Sequence, residues 1–404
     1  MSNFPDNWQI LPLEDCMSAI IDYRGKSPNK KTSGIPLITA KVVKAGRIEK
    51  TEEFIAEDEY KEWMQRGLPE PGDVVMTTEA PLGEIAQLDG QKVALAQRLI
   101  TLRGKPQFLD NTYLKFLMQG EFVQDELKAR ATGTTVVGIR QSELRKVPLV
   151  IPPLTEQRAI AAVLGSLDDK IELNRRMNET LEALAQSLFK SWFVDATQSA
   201  LPKGWREGTV GDLGDIICGK TPPTSDPENY GTDIPFVTIP DMHGQIFVIR
   251  TGKSLSQIGA NTQPGKTLPP YSICVSCIAT PGLVILTSQP CQTNQQINSV
   301  IPNAGYSPFY SYFALRELSD EIRSRGSGGS VTANLNKGDF AKIPISLPPV
   351  ELSNRFQETT EPIFKKILAN EHESRTLAAL RDALLPKLLS GELRVPAKLG
   401  SLDL

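Results

Sequence analysis

Residues 147–153 read VPLVIPP and lead into LTEQR at residues 154–158, and residues 343–349 read IPISLPP, 196 positions after the first run. Each run is short and apolar, as in a β-strand, and each ends at two prolines that cannot continue a strand's hydrogen bonds. A long stretch with apolar residues at helical spacing follows each proline pair. The sequence therefore predicts a strand that leads into a long helix, at two places in the chain.

The duplication extends over most of the 404 residues. Its period is close to two hundred residues, much longer than the roughly 20–50 residues of a solenoid repeat. The matched residues are mostly apolar, proline or glycine, whereas the polar residues differ, so we expect one scaffold with two different recognition surfaces. Three further matched pairs are FPDNW (4–8) with LPKGW (201–205), GKSP (25–28) with GKTP (219–222), and IPLI (35–38) with IPFV (234–237).

Both helical regions show apolar residues at alternating spacings of three and four, which indicates a heptad seam. Asn174 and Asn370 interrupt the seam at matching places, and a buried polar residue at such a position fixes register. An antiparallel pairing would bring the two asparagines together; a solvated break in an imperfect helix is the alternative. Pro362 is expected to kink or restart the second helix. The predicted pairing residues are Ile160, Leu167, Asn174, Leu181 and Leu188 in the first helix and Ile363, Asn370, Leu377 and Leu384 in the second.

These patterns predict an α+β fold with two tandem domains, separated by two long helices that form an antiparallel coiled-coil spacer. At about 1.5 Å per residue, a helix of about 38 residues is roughly 57 Å long, enough to hold two globules at a fixed distance. The predicted segments are a first domain at 1–152, a helical region at 153–197, a second domain at 198–348, a helical region at 349–395 and a tail at 396–404.

Composition excludes several classes of protein. The 44 Lys and Arg against 47 Asp and Glu give a net charge of −3, which argues against a general polyanion binder and leaves only local patches for nucleic acid. No apolar run approaches the roughly 18 residues of a membrane span, and the N-terminus lacks a signal-peptide pattern, so we expect a soluble, cytoplasmic protein without membrane contact. Five cysteines, an odd number, favour reduced thiols.

Three short motifs resemble catalytic or metal sites but fail on chemistry. GDIICGKT at 214–221 matches the phosphate-loop pattern, yet Pro222 and Pro223 oppose the helix that this loop requires. Leu268 begins an LPPY sequence, in which leucine cannot accept the hydrogen bond that an amino-methyltransferase needs. Cys274 and Cys277 have zinc-like spacing without a second pair. With only two histidines in the chain, we predict no catalytic residues and no metal site.

The first junction carries a specific resemblance. VPLVIPPLTEQR at 147–158, followed by DDKI at 168–171 and preceded by ATGTT at 131–135, resembles the specificity subunit of Type I restriction–modification systems. The resemblance covers essentially the whole chain, in the order recognition domain, helix, recognition domain, helix. The second junction departs from the pattern, because PPVELSN at 348–354 lacks the Thr-Glu-Gln of the first.

The resemblance implies a DNA-reading subunit without catalysis of its own. Each recognition domain would read one half of a bipartite, asymmetric double-stranded DNA target, and the paired helices would set the gap between the halves. The chain would recruit two methyltransferase subunits and, in the restricting complex, restriction/translocase subunits. This chain itself would hold no cofactor, since S-adenosylmethionine would bind the methyltransferase. Partner subunits would also supply much of the charge that neutralises phosphate.

The DNA-contacting residues are predicted from matched polar positions, each with a plainer alternative. Glutamine can pair with adenine and arginine with guanine, although these positions also suit a solvated strand face. Glycine-rich loops bring backbone amides close to phosphate, although a plain tight turn explains them equally, and the loop lysines can be ordinary surface lysines. The candidates are Lys26, Gln97, Arg98, Gly133 and Thr134 in the first copy and Lys220, Gln295, Gln296, Gly328 and Gly329 in the second.

The helix surface offers a candidate docking site for methyltransferase subunits, at Leu173, Phe189, Trp192 and Phe193; the alternative is that these side chains pack on their own domain. Two rival functions stay open. One is an enzyme with nuclease or methyltransferase activity in the same chain, which the missing catalytic motifs disfavour. The other is a scaffold that bridges protein partners without binding DNA, which the near-neutral charge supports.

Overall fold

The computed structural model describes residues 4–23, 27–326 and 334–395, which fall into two compact units. The first unit consists of residues up to 171 together with those from 376 onward, and the second consists of residues 172–375. Each long helix therefore contributes one part to each unit. Lys26, Gly328, Gly329 and the predicted tail lie outside the described residues, and the predicted domain boundaries stay predictions.

The first unit is built from short strands, short helices and the beginning of a long helix. Its strands are β1 (Gln9–Pro12), β2 (Met17–Asp22), β3 (Ile35–Ile38), β4 (Val43–Lys44), β5 (Arg47–Ile48), β6 (Phe54–Ile55), β7 (Val74–Thr78), β8 (Leu82–Gln87), β9 (Ala94–Leu95), β10 (Leu99–Gly104) and β11 (Pro148–Ile151). Its helices are α1 (Leu13–Cys16), α2 (Tyr60–Trp63), α3 (Asn111–Gln119), α4 (Glu121–Arg130), α5 (Gln141–Leu144), the first part of α6 (Leu154–Phe189) and the last part of α12 (Val350–Ser390).

An antiparallel sheet in the order β2-β10-β7-β8 forms the centre of the first unit. Strands β7 and β10 are buried on both faces, because an apolar cluster lies on each side of the sheet. One cluster includes α3 and both long helices, through Ile160, Leu164 and Leu388. The other includes the small sheet β6-β3-β9. The first long helix is thus part of the core of this unit.

The second unit repeats the plan. After a π-helical turn (Lys190–Val194) and α7 (Asp195–Thr197), its strands are β12 (Arg206–Thr209), β13 (Gly214–Cys218), β14 (Tyr230–Val237), β15 (Phe247–Val248), β16 (Lys253–Leu255), β17 (Ile273–Ser276), β18 (Val284–Thr287), β19 (Gln292–Thr293), β20 (Ile297–Pro302) and β21 (Pro344–Leu347). Its helices are α8 (Gln257–Asn261), α9 (Pro308–Glu317), α10 (Ser319–Gly326), α11 (Lys337–Ala341), the last part of α6 and most of α12 (Val350–Ser390).

The central sheet of the second unit has the order β13-β20-β17-β18-β15 and matches the first sheet with one added strand. Its core is rich in aromatic rings contributed by α9 and by both long helices. Phe309 and Phe364 stack with ring centroids 4.2 Å apart. Phe189 and Phe193 are only 3% exposed and pack on the same cluster, so these two side chains belong to the core rather than to an exposed docking surface.

The two long helices run antiparallel inside each unit, which confirms the predicted α+β class with long helices. In the first unit Asp168 pairs with Arg381, and in the second Asn178 lies against Ile367. Both helices begin directly after the proline pairs, as predicted. The expected restart at Pro362 was wrong, because α12 is continuous from Val350 to Ser390. Buried residues such as Phe364 and Ile367 anchor the helix just beyond that proline, and tertiary packing of this kind overrides local preference.

Candidate nucleic-acid interface

In both units, a predicted glutamine contacts the loop whose sequence contains a predicted lysine. In the first unit, Nε2 of Gln97 donates to Oγ of Ser27 at 3.2 Å. In the second unit, Oγ of Thr221 donates to Oε1 of Gln295 at 2.6 Å. Ser27 and Thr221 occupy the same place in the GKSP and GKTP loops. The fold therefore brings together two separated segments that the sequence predicted individually, and it does so twice.

The loop around Lys220 does not have phosphate-loop geometry. The backbone N–H of Gly219 donates to Ile297 O at 3.0 Å, and that of Lys220 donates to Thr293 O at 2.9 Å. These amides are consequently committed to the protein and do not point at a ligand. The Lys220 side chain is exposed, so it is available for a charge contact with phosphate while its backbone stays fixed.

Arg98 and Gln296, at matched positions, have different partners. Nε of Arg98 lies 3.0 Å from a carboxylate oxygen of Glu79, and both side chains are nearly half exposed. Gln296 instead accepts a hydrogen bond from Nδ2 of Asn294 at 3.0 Å. One position therefore presents a cation held by a carboxylate, and the other presents a neutral amide. This is the kind of difference that lets two similar domains read different bases.

The loop with Gly133 and Thr134 lies beside Arg98. Thr132 and Gly138 exchange two backbone hydrogen bonds at 2.8 and 3.0 Å, and Gly138 also forms a β-bridge with Glu79. Gly133 has φ +114°, and an added Cβ would lie 2.1 Å from the carbonyl oxygen of Val136. A tight turn thus explains the glycine itself. The exposed tip that this turn holds, which includes Thr134, is the part available to a ligand.

Strained alanines occur at the same edge of the central sheet in both units. Ala80 has φ 48° and Ala279 has φ 64°, and each lies in the turn that follows the matching strand, β7 or β17. A non-glycine residue with positive φ costs energy and occurs often at functional sites. Sequence reasoning missed both alanines, as well as Glu79. The signal that was present was a turn pattern at matching places, AP at 80–81 and ATPG at 279–282.

A cleft of about 420 Å³ lies beside Ser27 in the first unit, lined by Tyr23, Asn29, Glu59, Glu62 and Trp63 among others. In the second unit the matching segment is five residues longer, because the offset grows from 194 at residue 222 to 199 at residue 234. The longer segment forms a 3₁₀ turn (Pro227–Asn229) that packs tightly on α8, where a Cβ on Gly259 would lie 2.0 Å from Asn229 O. The two surfaces therefore differ in shape as well as in charge.

The predicted asparagines of the helices lie within the second unit and contact each other. Nδ2 of Asn174 lies 3.4 Å from the backbone oxygen of Asn370 and donates to Glu373 at 2.8 Å, while Nδ2 of Asn370 donates to Oδ1 of Asn178 at 2.8 Å. Asn174 and Asn370 are 0% and 1% exposed, so they do not form a solvated break. The register-fixing role of this layer stays a prediction.

The remaining predicted pairing residues vary in burial. Ile160 is buried in the first unit, and Leu384 packs against the same cluster. Leu181, Leu188 and Ile363 pack against the aromatic core of the second unit. Two further predicted residues, Leu167 and Leu377, are half-buried. The seam is less regular than its spacing suggests, since Leu184 at one of its positions and the docking candidate Leu173 are each about half exposed, at 50% and 53%.

A partly buried acidic residue, Glu371, lies on the same helix pair. Burial, and secondarily the nearby Glu182 carboxylate, raise the pKa of Glu371 to about 8. Glu182 is itself held by Arg316 and by the hydroxyl of Tyr312, at 3.3 Å from the latter. Glu371 is consequently protonated over most of the neutral pH range, and its charge depends on its surroundings in the folded state.

The Thr-Glu-Gln residues of the first junction have structural partners. Gln157, which is 0% exposed, accepts from Asp110 N at 2.9 Å and donates to the backbone oxygens of Phe108 and Pro152. The matching Ser353 accepts from Ser307 N at 2.8 Å, so the shorter side chain orients the same helix start in the second unit. In both units, therefore, a junction side chain accepts a hydrogen bond from the backbone at the start of a neighbouring helix, although the junction sequences differ.

Glu156 ties together the ends of the described chain. Its carboxylate accepts from Nε1 of Trp8 at 3.1 Å and from the Arg394 guanidinium at 2.5 and 2.9 Å. In the second unit the matching residue is Leu352, which cannot form such contacts. A strictly symmetric role for this glutamate is therefore absent.

A family model described as the Type I restriction modification DNA specificity domain matches residues 5–183 and 202–379. The chain belongs to the Type I restriction–modification DNA specificity family. This confirms the resemblance seen at the first junction and the two tandem recognition domains. DNA target recognition is the function of this specificity family.

Individual relatives agree with this assignment. The HindI specificity subunit of Haemophilus influenzae is 38% identical over 335 residues, which cover 66% of this chain and 73% of that protein. The MjaIX specificity subunit of Methanocaldococcus jannaschii is 26% identical over 442 residues, which cover 98% and 95%. The crystal structure of a Type I S subunit from M. genitalium matches with a TM-score of 0.59 at 18% identity, over 96% and 97% of the two chains, and shows the same fold.

Within residues 4–23, 27–326 and 334–395, no three His, Cys, Asp or Glu side chains are grouped so as to hold a metal ion. Over the same part of the chain, no helix is long and apolar enough to cross a membrane.

Proposed function

We propose that this chain reads a bipartite, asymmetric DNA sequence, with one unit for each half-site. The observation that carries the proposal is the recurring contact of Gln97 with Ser27 and of Gln295 with Thr221, at the same place in two units. Around this shared contact the two surfaces differ in charge and shape, through Arg98 with its partner Glu79 and through the cleft. A shared framework with different surroundings suits two readers of different sequences.

The chain acts in this proposal as a non-catalytic subunit. It recruits two methyltransferase subunits, which bind S-adenosylmethionine and carry out the methylation, and restriction/translocase subunits in the restricting complex. The long helices set the gap between the half-sites. Partner subunits supply much of the phosphate-neutralising charge, which accounts for DNA recognition by a chain with a net charge of −3.

The direct test is to co-express the chain with its methyltransferase in a host that lacks adenine methylation, and to sequence the modified bases across the genome. One split motif with two defined halves and a constant gap is the expected result. A soluble complex that methylates nothing and shows no salt-dependent, sequence-selective DNA binding would instead indicate a scaffold that bridges proteins.

A further inference from the structure

A basic β-hairpin in the first unit has no role in the site described above. Residues 41–50 read KVVKAGRIEK and contain four cations, Lys41, Lys44, Arg47 and Lys50, against one carboxylate, Glu49, which gives 4 − 1 = +3 in a chain of net −3. All four basic residues are exposed. Lys41 and Lys50 have no ion-pair partner among the described residues.

The hairpin is tied to the central sheet by contacts of its turn with β8. Its turn residues Ala45 and Gly46 have φ of 48° and 84°, as two-residue hairpin turns require. The N–H of Ala45 donates to the carboxylate of Glu84 at 3.0 Å, and Gly46 bridges to Ala86 on β8. Because Val43 is fully buried, the side chains of this ribbon have defined faces.

Two of the basic residues repel each other across the hairpin and lower its stability. Lys44 and Arg47 are direct cross-strand partners, and like charges in this position are destabilising. Glu49 is shared between them, at 3.3 Å from Lys44 and 3.7 Å from Arg47. Among the described residues, the carboxylates that contact the hairpin are Glu49 and Glu84, and Glu84 contacts only the backbone N–H of Ala45. An external anion would relieve this repulsion.

The chain enters the hairpin next to the candidate interface. The N–H of Ala96, one residue before Gln97, donates to Ile38 O at 2.9 Å, and the chain enters the hairpin at Lys41 directly after this point. The basic ribbon is thus anchored beside the segment that carries Gln97 and Arg98.

The stretch of the second unit that matches the hairpin, residues 239–250, is not basic. Apart from His243, its ionisable residues are one acid, Asp241, and one base, Arg250. Where Gly46 bridges to β8, the second unit pairs β15 with β18, and Phe247 and Val248 are buried there at 0% and 3% exposure. The basic patch is therefore a property of one unit.

We propose that the hairpin at residues 41–50 is a phosphate-binding element that anchors the first unit on the DNA backbone, next to its half-site and without reading bases. This inference rests on the proposed DNA-reading function. It predicts an unequal division of labour, in which the first unit holds the backbone through its own cations and the second unit relies on other contacts.

The test uses the complex with methyltransferase and the variant Lys41→Gln/Lys50→Gln. Affinity is measured by fluorescence anisotropy at several KCl concentrations, on a duplex with the methylated motif and on a random duplex. Loss of two phosphate contacts should weaken binding to both duplexes by about tenfold or more at 0.1 M salt, and should flatten the plot of log K against log salt by about 2. The methylated motif should not change.

The control is Lys105→Gln/Lys146→Gln, which removes the same charge from the same unit. Lys105 follows the end of β10 opposite to Arg98, and both lysines are exposed. This control should keep the wild-type salt slope. In addition, Arg47→Thr should leave the melting temperature equal or higher while it lowers the slope by about 1, because it removes the cross-strand repulsion.

An unchanged salt slope in Lys41→Gln/Lys50→Gln would overturn the inference while leaving the proposed function intact. An altered methylation motif would also overturn it, since the hairpin would then read bases. A wild-type complex that binds neither duplex and methylates nothing would overturn the proposed function together with the inference.

Discussion

In each unit, residues at three equivalent positions pack the long helices against each other and against a shorter helix. These residues are charged in the first unit and uncharged in the second. In the first unit the positions hold a charged triad. Asp168 on α6 lies 2.5 Å from Nζ of Lys115 on α3 and 2.7 Å from the guanidinium of Arg381 on α12. The side chains of Asp168 and Lys115 are only 16% and 11% exposed, so the triad is largely removed from water.

In the second unit the same positions hold Tyr312, Phe364 and Ala185, at offsets of 197, 196 and −196. The rings of Tyr312 and Phe364 meet edge-on with centroids 5.9 Å apart. The fold therefore requires that these positions be filled and packed, and it does not require charge. A buried ionic group must recover the cost of desolvation from its partners, whereas an apolar group has no such cost.

Removal of the central carboxylate is expected to have the largest effect. Asp168→Ala leaves the Lys115 and Arg381 cations without their shared partner, and should destabilise the first unit by about 3 kcal/mol. Urea unfolding with hydrogen exchange resolved to peptides of each unit measures this effect. The neighbouring exposed residue supplies the control, since Asp169→Ala should stay within about 0.5 kcal/mol of wild type. Equal effects of the two variants would contradict the importance of the triad.

The junction residues offer a second comparison, between three hydrogen bonds and one. Gln157→Ala should destabilise the first unit by about 2–3 kcal/mol, because it leaves a backbone N–H and two carbonyl oxygens without their partner. Ser353→Ala, which removes a single bond to Ser307 N, should cost the second unit about 1 kcal/mol. Denaturant midpoints of both variants give the ratio. A larger loss from Ser353→Ala would show that the two contacts are not equivalent.

Glu371 makes the stability of the second unit depend on pH. Because its folded pKa of about 8 lies above the ordinary 4.5, the folded state retains a proton that the unfolded state loses. The stabilisation is present below about pH 4.5 and is lost as pH rises to 8. Glu371→Gln should remove this dependence, with little change below pH 4.5 and a clear gain in unfolding free energy over wild type at pH 9. Parallel unfolding curves of wild type and variant across this range would refute the assignment.

The smallest effect is expected when the charged triad is replaced by its apolar counterpart. Lys115→Tyr/Asp168→Phe/Arg381→Ala should be close to wild type or more stable by about 1 kcal/mol, and well above Asp168→Ala alone. Its melting temperature should also depend less on salt. If the triple variant were as unstable as Asp168→Ala, the two units would not be interchangeable at these positions.

Much of the fold was predictable because it depends on local signals. The proline pairs predicted that a long helix begins after each of them, as α6 and α12 do, and the duplicated patterns predicted two α+β units. The expected restart at Pro362 was wrong because burial of the following residues outweighs the lost hydrogen bond.

The candidate site was predictable only in part. Gln97 and Gln295 were found as matched polar residues, but their contacts to Ser27 and Thr221 connect segments 70 and 74 residues apart. Such contacts depend on sheet topology and have no periodic signal. Glu79 was missed for the same reason, since its importance arises only when β7 brings it beside Arg98 and Gly138.

The central claim is that each unit reads one half of a split DNA sequence. Its most direct test is to replace residues 1–152 with another recognition domain of the specificity family, and to sequence the methylated bases made by the complex. The account predicts that one half of the motif changes, while the other half and the gap stay the same. A change in both halves, or in neither, would contradict it.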